Sequence, residues 1–99
     1  MVKIIIATVK AASGQEARLE GFLREIRDYA RQNESGCREY KVVKKEKEGE
    51  FATWEVYDDD AAVQAHAEKN PGVQKLMAAL EEGNLVEGQP QLLGPFEEI

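Results

Sequence analysis

Residues 2–9, VKIIIATV, are apolar on both sides of an extended chain. Successive strand side chains point to opposite faces, so Val2, Ile4 and Ile6 share one face and Ile5, Ala7 and Val9 the other. Such a strand has to be covered twice. The 99 residues make one domain, residues 1–99, and a chain of that length buries only a modest fraction of its surface. Helices of the same chain can cover one face; a second subunit would help to cover the other.

The remaining elements follow from periodicity and punctuation. Ser13 and Glu16 stand at capping-box spacing and predict a helix start. Leu19, Phe22, Leu23, Ile26 and Tyr29 or Ala30 then recur at helical intervals to about residue 32, opposite a charged side. NESG ends this helix, with Gly36 available for a left-handed turn. CREYKVVKKEK and EFATWEVYD read as two strands joined by a charged hairpin around Gly49. DDDAAVQAHAEKN reads as a short helix capped by Asp58 or Asp59. Three consecutive Asp diverge and have no further oxygen ligands at loop spacing, so they read as a helix start and not as a cation site. NPG restarts a helix with Asn70 as cap and Pro71 in the first turn, and Val73, Leu76, Met77 and Leu80 form its stripe. EEGNLVEGQP is a loop, and QLLGPF is a last strand, placed at an edge because Pro95 cannot donate to a ladder.

The order β-α-β-β-α-β predicts an α+β, ferredoxin-like fold: a four-stranded antiparallel sheet with helices on one face. In FATWEV, alternation places Phe51, Thr53, Glu55 and Tyr57 on one side and Ala52, Trp54 and Val56 on the other. The second set is wholly apolar, and left in water it would form a sticky patch. The expectation is a homodimer packed sheet against sheet, with Trp54 in the interface and Glu55 directed towards the helices.

A net charge of −6 and a pI near 4.8 argue against nucleic acid as a partner, since phosphate binding needs a basic face. The single cysteine, Cys37, forms no internal disulfide and has no partner at metal-ligand spacing, so no metal site is expected; it reads as a small strand residue. The apolar run in MVKIIIATVK is too short for a signal-peptide core, and no stretch spans a bilayer, so a cytoplasmic protein with no membrane partner is expected. No Gly-rich strand-to-helix turn suggests flavin, nicotinamide or phosphate binding, and no cofactor is expected.

MVKIIIATVKAASGQEARLEGFL, ESGCREYKVV, FATWEVYDDDAAVQAHAEKNPGVQKLMAAL and LLGPFEEI together resemble the antibiotic biosynthesis monooxygenase domain over nearly the whole chain. The most specific stretch is WEVYDDDAAVQAH, with a Glu, an aromatic residue two positions later, an acidic helix start and a His. The resemblance implies a dimeric α+β barrel with a pocket between sheet and helices in each subunit. It also implies cofactor-independent oxygenation of quinols or polycyclic phenols. The haem-degrading branch uses an Asn, a Trp and a His; the matching positions here are approximately Ala7, His66 and Leu76 or Met77, so haem degradation is not expected. The polyketide-oxidising branch lines its pocket with an Asn and a Trp on the third strand, where this chain has Thr53 and Tyr57.

Cofactor-free oxygenation requires an electron-rich substrate that, once deprotonated, reduces oxygen itself. The protein supplies a base, a dry pocket and a group that steadies the anion. His66, the only histidine, is the candidate base, with Glu55 to orient it. Thr53 and Tyr57 are candidates to bind the oxygens of a small aromatic substrate, and Phe22, Leu76 and Met77 to wall the pocket. Two other readings remain open at this level. His66 and Glu55 could form a purely structural hydrogen bond, and the chain could be a non-catalytic dimeric module that binds a small apolar metabolite or a protein partner.

Overall fold

The computed structural model describes residues 1–46 and 49–99. The elements are β1 (Lys3–Lys10), α1 (Glu16–Asn33), β2 (Cys37–Lys44), β3 (Glu50–Tyr57), α2 (Asp60–Lys69), α3 (Pro71–Glu82) and β4 (Gln91–Glu97). The strands form one antiparallel sheet in the order β2-β3-β1-β4, the ferredoxin-like arrangement, with all three helices on one face. The middle of the charged hairpin between β2 and β3, Lys47 and Glu48, lies outside the described residues. No helix among the described residues is long and apolar enough to cross a membrane.

Register assigns every strand residue to a face. Ile5, Ala7 and Val9 of β1 stand opposite Glu55, Thr53 and Phe51 of β3, and Tyr40 of β2 stands opposite Glu55 on its other side. These side chains face the helices. Leu19, Leu23, Ile26 and Ala30 of α1 complete the core with Phe51 and Ala79, as the 3.6-residue stripe predicts. Leu85, in the segment read as loop, is also fully buried there; the backbone of Ala12 donates to its carbonyl at 2.9 Å and holds that segment against the end of β1.

Two local expectations fail for physical reasons. Ser13 makes no capping-box bond: α1 begins at Glu16 behind Gln15, without a side-chain cap. Gly36 is not in the left-handed region. Its missing side chain instead admits α2, since a Cβ there would stand 2.6 Å from the Cβ of Ala62. The later caps are as expected. Asp59 accepts from the Ala62 N–H at 2.9 Å, and the Asn70 carbonyl oxygen accepts from the Gly72 and Val73 N–H groups at 2.9 and 3.4 Å.

The position of α3 determines the space beneath it. It packs chiefly on α1 and α2, and stands off β1 and β4. Gly72 makes the close approach: a Cβ there would lie 2.8 Å from the Ile26 backbone nitrogen and 3.1 Å from its Cα. Backbone cannot yield as a flexible side chain does. Gly72→Ala is therefore expected to destabilise the fold by about 1–3 kcal/mol, read as a lower urea midpoint at unchanged slope.

Candidate functional site

Because α3 leans on α1, a cavity of about 260 Å³ opens between the helices and the sheet. Its walls are mainly aliphatic, with Ile5 and Ala7 from β1, Leu76 and Met77 from α3, and Leu92 from β4. Met77 and Leu92 are 55% and 68% exposed, so the cavity reaches the surface between α3 and β4. Thr53, Glu55 and His66 form one polar cluster in this lining, beside the ring of Tyr40.

Each polar side chain is placed by an identifiable element. Alternation along β3 turns Thr53, Glu55 and Tyr57 inward together. The Thr53 and Tyr57 hydroxyls each donate to a different Glu55 oxygen, both at 2.6 Å. Both oxygens accept, as those of a carboxylate do. Tyr57 is fully buried, and burial followed by the neighbouring Glu55 pushes its hydroxyl far above the usual phenol range. Tyr40 is pushed up by the same two causes in the same order. Both remain neutral hydroxyls across the physiological range.

His66 reaches inward from α2 between the rings of Tyr40 and Tyr57, at centroid distances of 5.3 and 5.4 Å. Its Nε2 lies 3.9 Å from Glu55 Oε1, too far for a hydrogen bond. The group that holds the ring is Glu34, in the turn after α1, whose oxygens lie 2.8 and 3.0 Å from Nδ1. Glu34 also accepts from Asn70 Nδ2 at 2.7 Å. The carboxylate paired with the ring is therefore Glu34 and not Glu55, because the α1–β2 turn delivers a carboxylate closer to Nδ1 than β3 delivers one to Nε2.

Thr53, Glu55, His66, Leu76 and Met77 all line the cavity, and Phe22 and Tyr57 do not. Phe22 sits on the α1 stripe, packs against the main core and lies under the Arg18 guanidinium at 5.6 Å. Tyr57 is sealed beneath His66, and its hydroxyl proton is committed to Glu55. Neither is placed to touch a molecule in the cavity. Tyr40 and Glu34 are site residues that the sequence pattern does not single out, and Asn70 is marked there only as a cap. Tyr40 could have been found from its inward position on β2, whereas nothing local marks Glu34.

Cys37 is half-buried, and its thiol donates to the Glu39 carbonyl at 3.4 Å. Burial first, then Glu34 and Glu55, push the thiol up to about 12. A thiol so raised is a poor nucleophile at neutral pH, as suits a small strand residue. Alkylation of Cys37 by iodoacetamide at pH 8 is expected to run at least about tenfold slower than that of a free cysteine, measured by intact mass. Among the described residues, no group of three His, Cys, Asp or Glu side chains could hold a metal ion.

The antibiotic biosynthesis monooxygenase family model matches residues 3–79. The chain belongs to the antibiotic biosynthesis monooxygenase family. Solved structures agree over nearly the whole chain. A "putative antibiotic biosynthesis monooxygenase" from Deinococcus radiodurans is 30% identical, with TM-score 0.77 over 100% of this chain and 96% of that one. PA3566 from Pseudomonas aeruginosa is 26% identical, with TM-score 0.79 over 97% and 95% of the two chains. NE2512 from Nitrosomonas europaea, described as a protein of unknown function, is 28% identical, with TM-score 0.77 over 94% and 86%. No curated protein matches the chain in sequence. Within the family fold, the stretch from Glu55 to His66 is what brings imidazole and carboxylate to the wall of one cavity.

Proposed function

We propose that this member of the antibiotic biosynthesis monooxygenase family is a cofactor-independent monooxygenase of the cytoplasm, acting as a homodimer on a small quinol or polycyclic phenol. One observation carries this reading: an aliphatic cavity whose imidazole has its Nε2 directed to the Glu55 side, without a hydrogen-bond partner among the described residues. Ligand pockets for drug-sized molecules run from about 300 to 1,000 Å³. A cavity of about 260 Å³ suits a ligand of one or two rings. The aliphatic wall takes the rings, and the single polar cluster takes the hydroxyl.

In this scheme Nε2 accepts the hydroxyl proton: the O–H bond breaks, an N–H bond forms, and the substrate becomes an electron-rich anion. The new imidazolium is steadied by Glu34 at Nδ1 and Glu55 near Nε2. The anion passes an electron to oxygen and the two recombine. Overall, two substrate hydrogens are replaced by one oxygen atom, and the second oxygen atom leaves with those hydrogens as water. The low-polarity walls keep bulk water from quenching the anion.

The homodimer reading rests on the open sheet face. Ile4, Ile6 and Trp54 form its centre beside Val56, which is already buried in the single chain, and register adds Val43 from β2 with Leu93 and Phe96 from β4. Val43, Leu93 and Phe96 are 45–55% exposed in the single chain. A second copy offers the same apolar surface, which is what a two-fold sheet-to-sheet contact needs.

The test is oxygen consumption with a panel of benzo- and naphthohydroquinones, followed by mass analysis of the products under isotopically labelled oxygen. The expected result is uptake above the uncatalysed rate, with one labelled oxygen atom in the product. Saturable binding of the panel without uptake would replace the enzyme with a binding module.

A further inference from the structure

Asn70 has only one possible orientation. Its carbonyl oxygen caps α3 by accepting from two backbone N–H groups. Its amide nitrogen donates to the Ile26 carbonyl at 3.1 Å and to Glu34 at 2.7 Å. Flipping the amide would set NH₂ against two N–H donors and a carbonyl against two acceptors. The backbone of α1 and α3 therefore fixes which end of Asn70 faces Glu34. Glu34, with both oxygens accepting, in turn requires a proton on His66 Nδ1. In the neutral ring the lone pair is then left on Nε2. Every fully buried polar side-chain atom among the described residues has a hydrogen-bond partner, and Nε2 has none, so Nε2 is not sealed. It opens on the cavity that His66 lines.

We propose that Glu34, oriented by Asn70, is a positioning residue that holds neutral His66 as the Nδ1–H tautomer and so presents Nε2 to the cavity as a proton acceptor. This assignment rests on the monooxygenase reading for its catalytic meaning, though not for its geometry. The groups facing the ring are Glu34 from the α1–β2 turn, Tyr40 from β2, and Glu55 and Tyr57 from β3. Both tyrosines stay neutral, and the Tyr57 hydroxyl is turned to Glu55. Glu34 is thus the group that selects the tautomer. Glu55 Oε1 and Nε2, 3.9 Å apart, are two acceptors with no proton between them, and a ligand hydroxyl satisfies that arrangement.

Glu34→Gln separates this role from simple packing. Asn70 still offers a donor, so the new amide turns its oxygen to Asn70. Its NH₂ then takes the place of Oε1, the atom 2.8 Å from Nδ1. The amide oxygen stays 3.0 Å from Nδ1 but is taken by Asn70, so the nearer NH₂ favours the lone pair on Nδ1 and the proton on Nε2, which removes the base. His66 is the only histidine, so histidine labelled with nitrogen-15 yields one ring to follow by long-range proton–nitrogen correlation. The wild-type neutral ring should show an unprotonated Nε2, and E34Q an unprotonated Nδ1. Oxygen uptake in E34Q should fall about a hundredfold in kcat with KM little changed.

Protonated Nε2 in the wild-type neutral ring would overturn the proposal, and that spectrum needs no variant to fold. So would an unaltered tautomer in E34Q, or undiminished uptake by E34Q with the tautomer reversed. The expected tautomers in a protein that consumes no oxygen with any hydroquinone would support the Glu34 assignment and sink the monooxygenase reading instead.

Discussion

His66→Ala is expected to lower hydroquinone-dependent oxygen uptake by at least about a hundredfold, the lower end of what a positioned general base contributes. The imidazole Nε2 has no hydrogen-bond partner among the described residues, and the charge it gains would be stabilised by Glu34 at 2.8 Å from Nδ1 and Glu55 at 3.9 Å from Nε2. Thr53 and Tyr57 already donate to Glu55, so neither hydroxyl can take over the task. The variant also strips Glu34 of its donor from Nδ1. A loss of about 1–3 kcal/mol of stability should accompany the loss of activity, and the melting temperature must be recorded alongside uptake. The mass in solution should not change, because His66 lies on the opposite side of the sheet from the open face. A variant that is less stable but consumes oxygen normally would mean that His66 only ties α2 to the α1–β2 turn.

Trp54→Glu is expected to convert the protein from a dimer, at twice the 11.1 kDa chain mass, to a monomer in light scattering at micromolar concentration. Trp54 stands on the open face beside Ile6 and is 39% exposed in the single chain. Its indole N–H donates to Glu39 at 3.2 Å, so its one polar atom is satisfied and the ring is left to pack. A glutamate at this position would carry a charge into an apolar contact, beside Glu39 and with only the exposed Lys41 across from it, at a cost of several kcal/mol. Each 1.4 kcal/mol is about tenfold in affinity, so dissociation at micromolar concentration follows. A wild-type protein that is soluble and monomeric would remove the basis for the sheet-to-sheet dimer. The E34Q and His66→Ala variants leave this face untouched and should retain the wild-type mass.

Strand alternation was enough to send Glu55, Thr53 and Tyr57 to the helix side and Trp54 to the other, because that periodicity is a property of each strand's own backbone. The α1 stripe was legible for the same reason, and Asn70 announced itself as a cap by standing before Pro71. The roles of Thr53 and Tyr57 were not legible. Both are polar and inward, and only their distances to Glu55 reveal that their hydroxyls are spent within the protein. Phe22 carried the right chemistry for a cavity wall, but its stripe position turns it towards the core on the α1 side.

The sequence by itself determined the order of elements, the two faces of the sheet and the inward direction of Glu55 and His66. These depend on periodicity and on the backbone preferences of adjacent residues. Only the tertiary structure decided what His66 pairs with and where the cavity lies. Glu34 is 32 residues from His66 and 36 from Asn70, separations across which no local pattern operates. The cavity exists because Gly72 lets α3 settle on Ile26 of α1 and away from β1 and β4, a choice made by packing between elements and by none of them alone.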